Sequence, residues 1–144
     1  MIIKDRINIP LSWEICHLSE IYTIVGGGTP STKQPEYWGK GTPWISSADI
    51  KSSSQIIFRK YVTDSGIKNS NTNKVSKDTV IVVTRVSLGK VALVQSEMCF
   101  SQDVHGLIQN PSLISPRYSL FFLEYHMSFL KFDAQGTTIP GITK

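Results

Sequence analysis

Three histidines, two cysteines and eleven carboxylates are the side chains from which this 144-residue chain would have to build acid–base, nucleophilic or metal chemistry. Their spacing builds none of it. His17, His105 and His126 stand far apart, with no paired cysteine and no general-base spacing. Cys16 and Cys99 form neither a Cys-x-x-Cys motif nor a Cys/His cluster, so they read as reduced thiols of an intracellular protein, and no zinc site is implied. A metal-dependent nuclease needs clustered carboxylates with a lysine, but the acids here are spread almost singly. Asp49-Ile50-Lys51 offers one carboxylate–lysine pair, which reads more simply as a surface salt link. A methyltransferase acting on amino groups would need a glycine-rich cofactor loop and an Asn/Asp-Pro-Pro-aromatic motif, because the amine must be held against acceptor and stacking groups. Asn110-Pro111-Ser112-Leu113 has half of that motif. The expectation is a chain that is not an enzyme and needs neither cofactor nor metal.

Binding chemistry is better represented. GGGTPSTKQPEYW, from Gly26 to Trp38, sets three glycines before a Thr-Pro-Ser-Thr turn and an aromatic pair. Consecutive glycines allow positive φ or a close approach of the backbone to another group, and Pro30 fixes the chain after them. A nucleotide P-loop would require G-x-x-x-x-G-K-[ST]. Gly39-Lys40 is followed by Gly41 and Gly89-Lys90 by Val91, so neither pair fits. The simpler reading is a loop in which Ser31 or Thr32 caps a short helix through Gln34, Glu36 and Tyr37, with Trp38 buried and Gly39 ending it. Helix N-termini and glycine backbones also suit nucleic-acid phosphates. From Lys51 to Lys90 there are eight basic residues (Lys51, Arg59, Lys60, Lys68, Lys74, Lys77, Arg85 and Lys90) against two acids, Asp64 and Asp78. That segment is locally +6 in a chain of net charge +4, so the remainder sums to −2. A basic half-domain on a near-neutral body suits a polyanion partner, and it equally describes a solvated lysine-rich face.

The elements that must position these groups follow from pattern. With 40% hydrophobic residues the chain is large enough for one domain with its own core. No segment approaches the roughly 20 apolar residues of a membrane span, so a soluble, cytoplasmic protein is expected. Trp13–Val25, rich in β-branched and aromatic residues, predicts one or two strands ending at the glycines. Thr42–Ile50 predicts a strand entering the core, residues 56–58 a further short strand, and residues 64–69 a short helix. TVIVVT at 79–84 and KVALV at 90–94 predict a buried hairpin closed around RVSLG. Apolar residues at 120, 121, 123, 125, 127, 129 and 130 after Ser115-Pro116 predict one amphipathic helix over 117–132 packed on a sheet. AQGTTIPGITK closes the chain as a turn-rich segment.

Four blocks in order carry a family resemblance: GGGTPSTKQPEYWGKGTPWISSADIK (Gly26–Lys51), TVIVVTRVSLGKVALV (Thr79–Val94), SQDVHGLI (Ser101–Ile108) and QGTTIPGITK (Gln135–Lys144). Together they resemble the target recognition domain of the specificity subunit of type I restriction-modification systems, which serve in bacterial defence. The resemblance covers nearly the whole chain. It implies an α/β (α+β) domain, residues 1–144, with a twisted mixed sheet packed by a few helices and no catalytic residues. It also implies that the module reads one half of a split double-stranded DNA site. Two such domains stand in tandem in the family, separated by long helices that dock methyltransferase subunits and, through them, the restriction subunit. The sequence ends at Lys144, where the family chain would continue into a conserved spacer helix. Related recognition domains occur in fused restriction-methylation enzymes. A competing reading makes the chain a regulatory fragment that binds the methyltransferase without reading DNA.

Within that resemblance the expected DNA contacts are Ser31, Thr32 and Lys33 after the glycines, Lys51, Arg59, Lys60, Lys74 and Lys77 in the basic segment, and Arg85, Ser87 and Lys90 at the hairpin. Lysines there would hold phosphates and set register. Arginine reads guanine, Asn and Gln read adenine, and Ser and Thr read several bases. Arg85 either reads a base or pairs with Asp49 or Asp103. Trp44 is expected in the core rather than on a base.

Overall fold

The computed structural model describes residues 10–130. The closing QGTTIPGITK block and the last two residues of the predicted 117–132 helix lie outside them. A short helix, α1 (Leu18–Ile21), leads into β1 (Tyr22–Gly26). A 3-10 turn at Pro35–Tyr37 precedes β2 (Trp38–Ile45), and a second at Ser47–Asp49 precedes β3 (Ile50–Ser52) and β4 (Gln55–Ile56). There follow β5 (Lys60–Val62), α2 (Asp64–Lys68), β6 (Lys74–Val75), β7 (Val80–Val83), β8 (Val91–Leu93), β9 (Met98–Phe100), β10 (Val104–Gln109) and α3 (Pro116–Leu130).

The α+β class expected from the sequence holds, with the strands divided among three sheets. The first, ordered β1-β10-β7-β8, is antiparallel throughout. The second, β5-β2-β9-β6, is mixed, because β2 runs parallel to β9 and antiparallel to β5. β3 and β4 form a separate ribbon. Period-2 alternation explains the layering. Ile81 and Val83 of β7 join Ile45, Met98 and Phe100 in a core between the two larger sheets. Val80 and Val82, on the opposite face, pack with Leu120, Leu123 and Met127 of α3. The first sheet is therefore covered on both faces, which is why VIVV is an unbroken apolar run. Each fully buried Val or Ile contributes about 1.5–3 kcal/mol. The far side of the second sheet holds Trp44, Val62 and Cys99, with Trp38 and Ile67 against them. Burial pushes the Cys99 thiol up to about 11, so it stays neutral there.

Several sequence expectations need correction. Of the one or two strands expected over Trp13–Val25, one forms, β1, and α1 takes the place of a second. Trp13, Ile15 and Leu18 are exposed, and Glu20 reaches back to the His17 N–H, closing α1 as a turn instead of extending a strand. The helix after the glycines is one 3-10 turn, begun by Pro35 behind Gln34 rather than capped by Ser31 or Thr32. Gly39 does not end it; it lies inside β2 at φ 133°. The predicted strand over 42–50 starts earlier, at Trp38, and stops at Ile45, because Asp49 accepts hydrogen bonds from the Ser46 N–H and hydroxyl and folds the chain into a turn. The strand expected at 56–58 lies instead at Gln55–Ile56, sharing only Ile56 with the expectation. The hairpin of β7 and β8 forms as expected, with Val80 opposite Leu93 and Val82 opposite Val91.

Candidate nucleic-acid interface

The three glycines serve close packing rather than a left-handed turn, since none of Gly26, Gly27 and Gly28 has positive φ. A Cβ on Gly27 would run into the Ser101 carbonyl and, at 2.5 Å, the Phe100 ring; one on Gly28 would meet the Asn71 backbone at 2.5 Å. The loop is thus pressed against β9 and the 69–73 segment. The Gly28 N–H donates to the Phe100 carbonyl at 2.9 Å. Two tryptophans brace it: Trp44 Nε1 donates to the Gly28 carbonyl (3.0 Å) and Trp38 Nε1 to the Ser31 carbonyl (3.1 Å). The two rings meet edge to face at 5.3 Å. Trp44 is only 6% exposed, as its assignment to the core required.

Two surface cavities adjoin this loop, and a third shares Gln102 with one of them. One of about 360 Å³ is lined by Thr32, Trp38, Gly39, Arg59, Lys60 and Tyr61. A second, about 520 Å³, is lined by Gly27, Gly28, Thr29, Ser31, Asn69, Ser70, Asn71 and Gln102. The third, about 370 Å³, is lined by Ser46, Arg85, Val86, Ser101, Gln102 and Asp103. Gln102 belongs to both the second and the third, and the second and first are lined by the consecutive residues Ser31 and Thr32. Gln102 is held by the Thr29 hydroxyl, which donates to its Oε1 at 2.6 Å.

The expected contact residues divide between this row and other tasks. Ser31, Thr32, Arg59, Lys60 and Arg85 line the row; Lys33, Lys51, Lys74, Lys77, Ser87 and Lys90 line none of the three cavities. Lys60 sits 5.6 Å from the Trp38 ring centre and 5.8 Å from that of Trp44, a cation–π pairing that leaves its charge in water. Arg59 pairs with Asp49 at 2.8 Å. Lys51 donates to the Ala48 carbonyl (2.8 Å), so the Asp49–Lys51 salt link read from the sequence is replaced by the Arg59 pair. Lys74 pairs with Glu97 at 3.0 Å, and that hydrogen bond raises its pKa. Lys90 turns inward and donates to the carbonyls of Ser47 and Ile50, both at 3.1 Å.

Neither partner considered for Arg85 is engaged with it. Asp49 is taken by Arg59, and Asp103 accepts from the Ser101 hydroxyl and, at 3.3 Å, from the Ser47 N–H. Among the described residues the Arg85 side chain is exposed and has no hydrogen bond or ion pair. Sequence reasoning missed Gln102, Asn69 and Asn71 as members of the row, although Gln102 lies in the SQDVHGLI block and the asparagines in the Ser/Asn-rich 69–73 stretch. Among the described residues no three or more His, Cys, Asp or Glu side chains cluster to hold a metal, and no helix is long and apolar enough to cross a membrane.

The type I restriction modification DNA specificity domain matches residues 10–144 of the sequence. The chain belongs to this family. Over 139 residues, 94% of its length, this specificity domain is 29% identical to the type I restriction enzyme MjaIX specificity subunit of Methanocaldococcus jannaschii, of which it covers 32%. It shares its fold with the HsdS subunit of Thermoanaerobacter tengcongensis, with a TM-score of 0.71 at 18% identity over 95% of this chain and 35% of that one. A chain from a structure on complex assembly and conformational transition of the type I restriction-modification system superposes with a TM-score of 0.74, also at 18% identity, over 96% of this chain and 33% of that one. The specificity domain thus spans about a third of the length of these relatives.

Proposed function

We propose that the chain is a non-catalytic module that recognises one half of a bipartite duplex DNA target for a type I restriction-modification complex. The observation that carries this reading is the row of three neighbouring cavities. Amides and hydroxyls of Ser31, Asn69, Asn71 and Gln102 line its middle, while Arg59 and Lys60 stand at one end and the unpaired Arg85 at the other. Uncharged donors and acceptors match base edges in the major groove, and flanking cations match phosphates or guanine. Asn71, Gln102 and Arg85 are assigned to bases. Thr32, Lys33, Lys60 and Lys77 are assigned to the backbone, with smaller contributions from Lys51, Lys74 and Ser87. Lys90, held by two carbonyls, supports the hairpin instead.

In this reading residues 1–144 act as one recognition domain of a cytoplasmic complex, and methylation and cleavage belong to the methyltransferase and restriction subunits. Binding of the 144-residue chain to random-sequence duplex DNA across a salt series tests it. The logarithm of affinity should fall linearly with the logarithm of salt concentration, by about 0.9 per neutralised phosphate, and selection from a random duplex pool should return one preferred sequence. Salt-tolerant binding to a methyltransferase subunit, with no duplex preferred, would overturn it in favour of a regulatory fragment.

A further inference from the structure

The turn between β7 and β8 holds its backbone in a conformation that its side chains disfavour. Val86 has φ 45° and Ser87 φ 64°, both left-handed. Hairpin positions with positive φ ordinarily take Asn or Gly, because a Cβ crowds the backbone there and a β-branched side chain does so most. Burial does not compensate, since Val86 is 54% exposed. Both legs of the turn are fixed. The Thr84 N–H donates to the Asp103 carbonyl (3.0 Å) and its hydroxyl lies 3.0 Å from His105 Nδ1. On the other leg the Gly89 N–H donates to the Val83 carbonyl at 3.0 Å, and Lys90 is anchored on Ser47 and Ile50. An exposed isopropyl group is therefore held on a braced turn, beside an arginine that has no partner and against the same cavity. Strain that neither packing nor turn chemistry explains marks a site of use.

We infer that Val86 is a specificity-determining residue that reads the 5-methyl group of a thymine next to the base contacted by Arg85. Thymine alone among the four bases carries a methyl group on its major-groove edge, and aliphatic contact is the way that group is recognised. The inference rests on the DNA-reading function proposed above.

The test uses the 144-residue chain and the preferred duplex obtained from selection, with each thymine replaced in turn by deoxyuridine, which removes the methyl group and nothing else. The wild-type chain should lose affinity about fourfold at one thymine position, the value of one buried methyl. Val86→Ala, which keeps the Cβ and removes both methyl groups, should be indifferent to that replacement. Val86→Gly should be equally indifferent while melting at or above the wild-type temperature. A wild-type chain that selects a sequence yet ignores every deoxyuridine would overturn the inference and leave DNA reading intact, as would a Val86→Ala chain with wild-type sensitivity. A wild-type chain with no sequence preference would overturn both, and the selection step alone would reveal it.

Discussion

β7 and the turn that follows it are separated by one residue, Thr84, and obey opposite rules. In β7 all four side chains are buried, and local preference agrees with the fold: β-branched residues in extended backbone, packed on both faces. In Arg85-Val86-Ser87 all three side chains are exposed, two are left-handed without being glycine, and the arginine is unpaired. The difference teaches where stability ends and recognition begins. The sheets hold the row of cavities in place, while Arg85 at its edge is left with its charge turned to solvent.

The contrast can be broken first at its stable side. Phe100 is fully buried between the two larger sheets, where its ring also abuts Gly27. Phe100→Ala should cost about 3–5 kcal/mol in urea unfolding, and duplex binding should vanish only to the extent that the chain unfolds. A stable Phe100→Ala chain that nevertheless binds no DNA would mean that the core and the row are not separable. A smaller effect sharpens the boundary. Lys90 lies in the basic segment and beside the recognition turn, yet its ammonium serves two carbonyls of the 47–50 turn. Lys90→Met should cost about 1–3 kcal/mol of stability and leave the salt dependence of DNA binding unchanged. A shallower salt slope with unchanged stability would move Lys90 into the interface.

The legible part of the sequence was the part where one segment decides its own state. TVIVVT and KVALV announce a buried hairpin because β-branched residues leave few alternatives, and the helix starting at Pro116 follows from its apolar spacing. What depends on partners distant in sequence was harder to read. The second large sheet depends on β2 lying parallel to β9, with Trp44 opposite Cys99, a pairing that no local pattern encodes. The glycines at 26–28 could have served a positive φ, a phosphate or a tight contact. Only the arrival of Ser101 and Asn71 against them makes the last necessary. Charge was similarly ambiguous. Arg59, Lys74 and Lys90 look alike in the sequence, but folding gives the first two carboxylate partners and turns the third inward. Gln102 escaped notice because its importance is positional: it is the residue shared by two cavities.

The central claim is that the row of cavities reads DNA, with the unpaired Arg85 as a base contact, and Arg85 tests it most directly. The decisive measurement is the dissociation constant of wild-type and Arg85→Ala chains on the preferred duplex and on a scrambled one, with thermal melting of both proteins alongside. The account predicts a loss of about 1–3 kcal/mol, roughly 5- to 150-fold, on the preferred duplex, a much smaller loss on the scrambled one, and an unchanged melting temperature. Equal losses on both duplexes, or no loss on either, would contradict it.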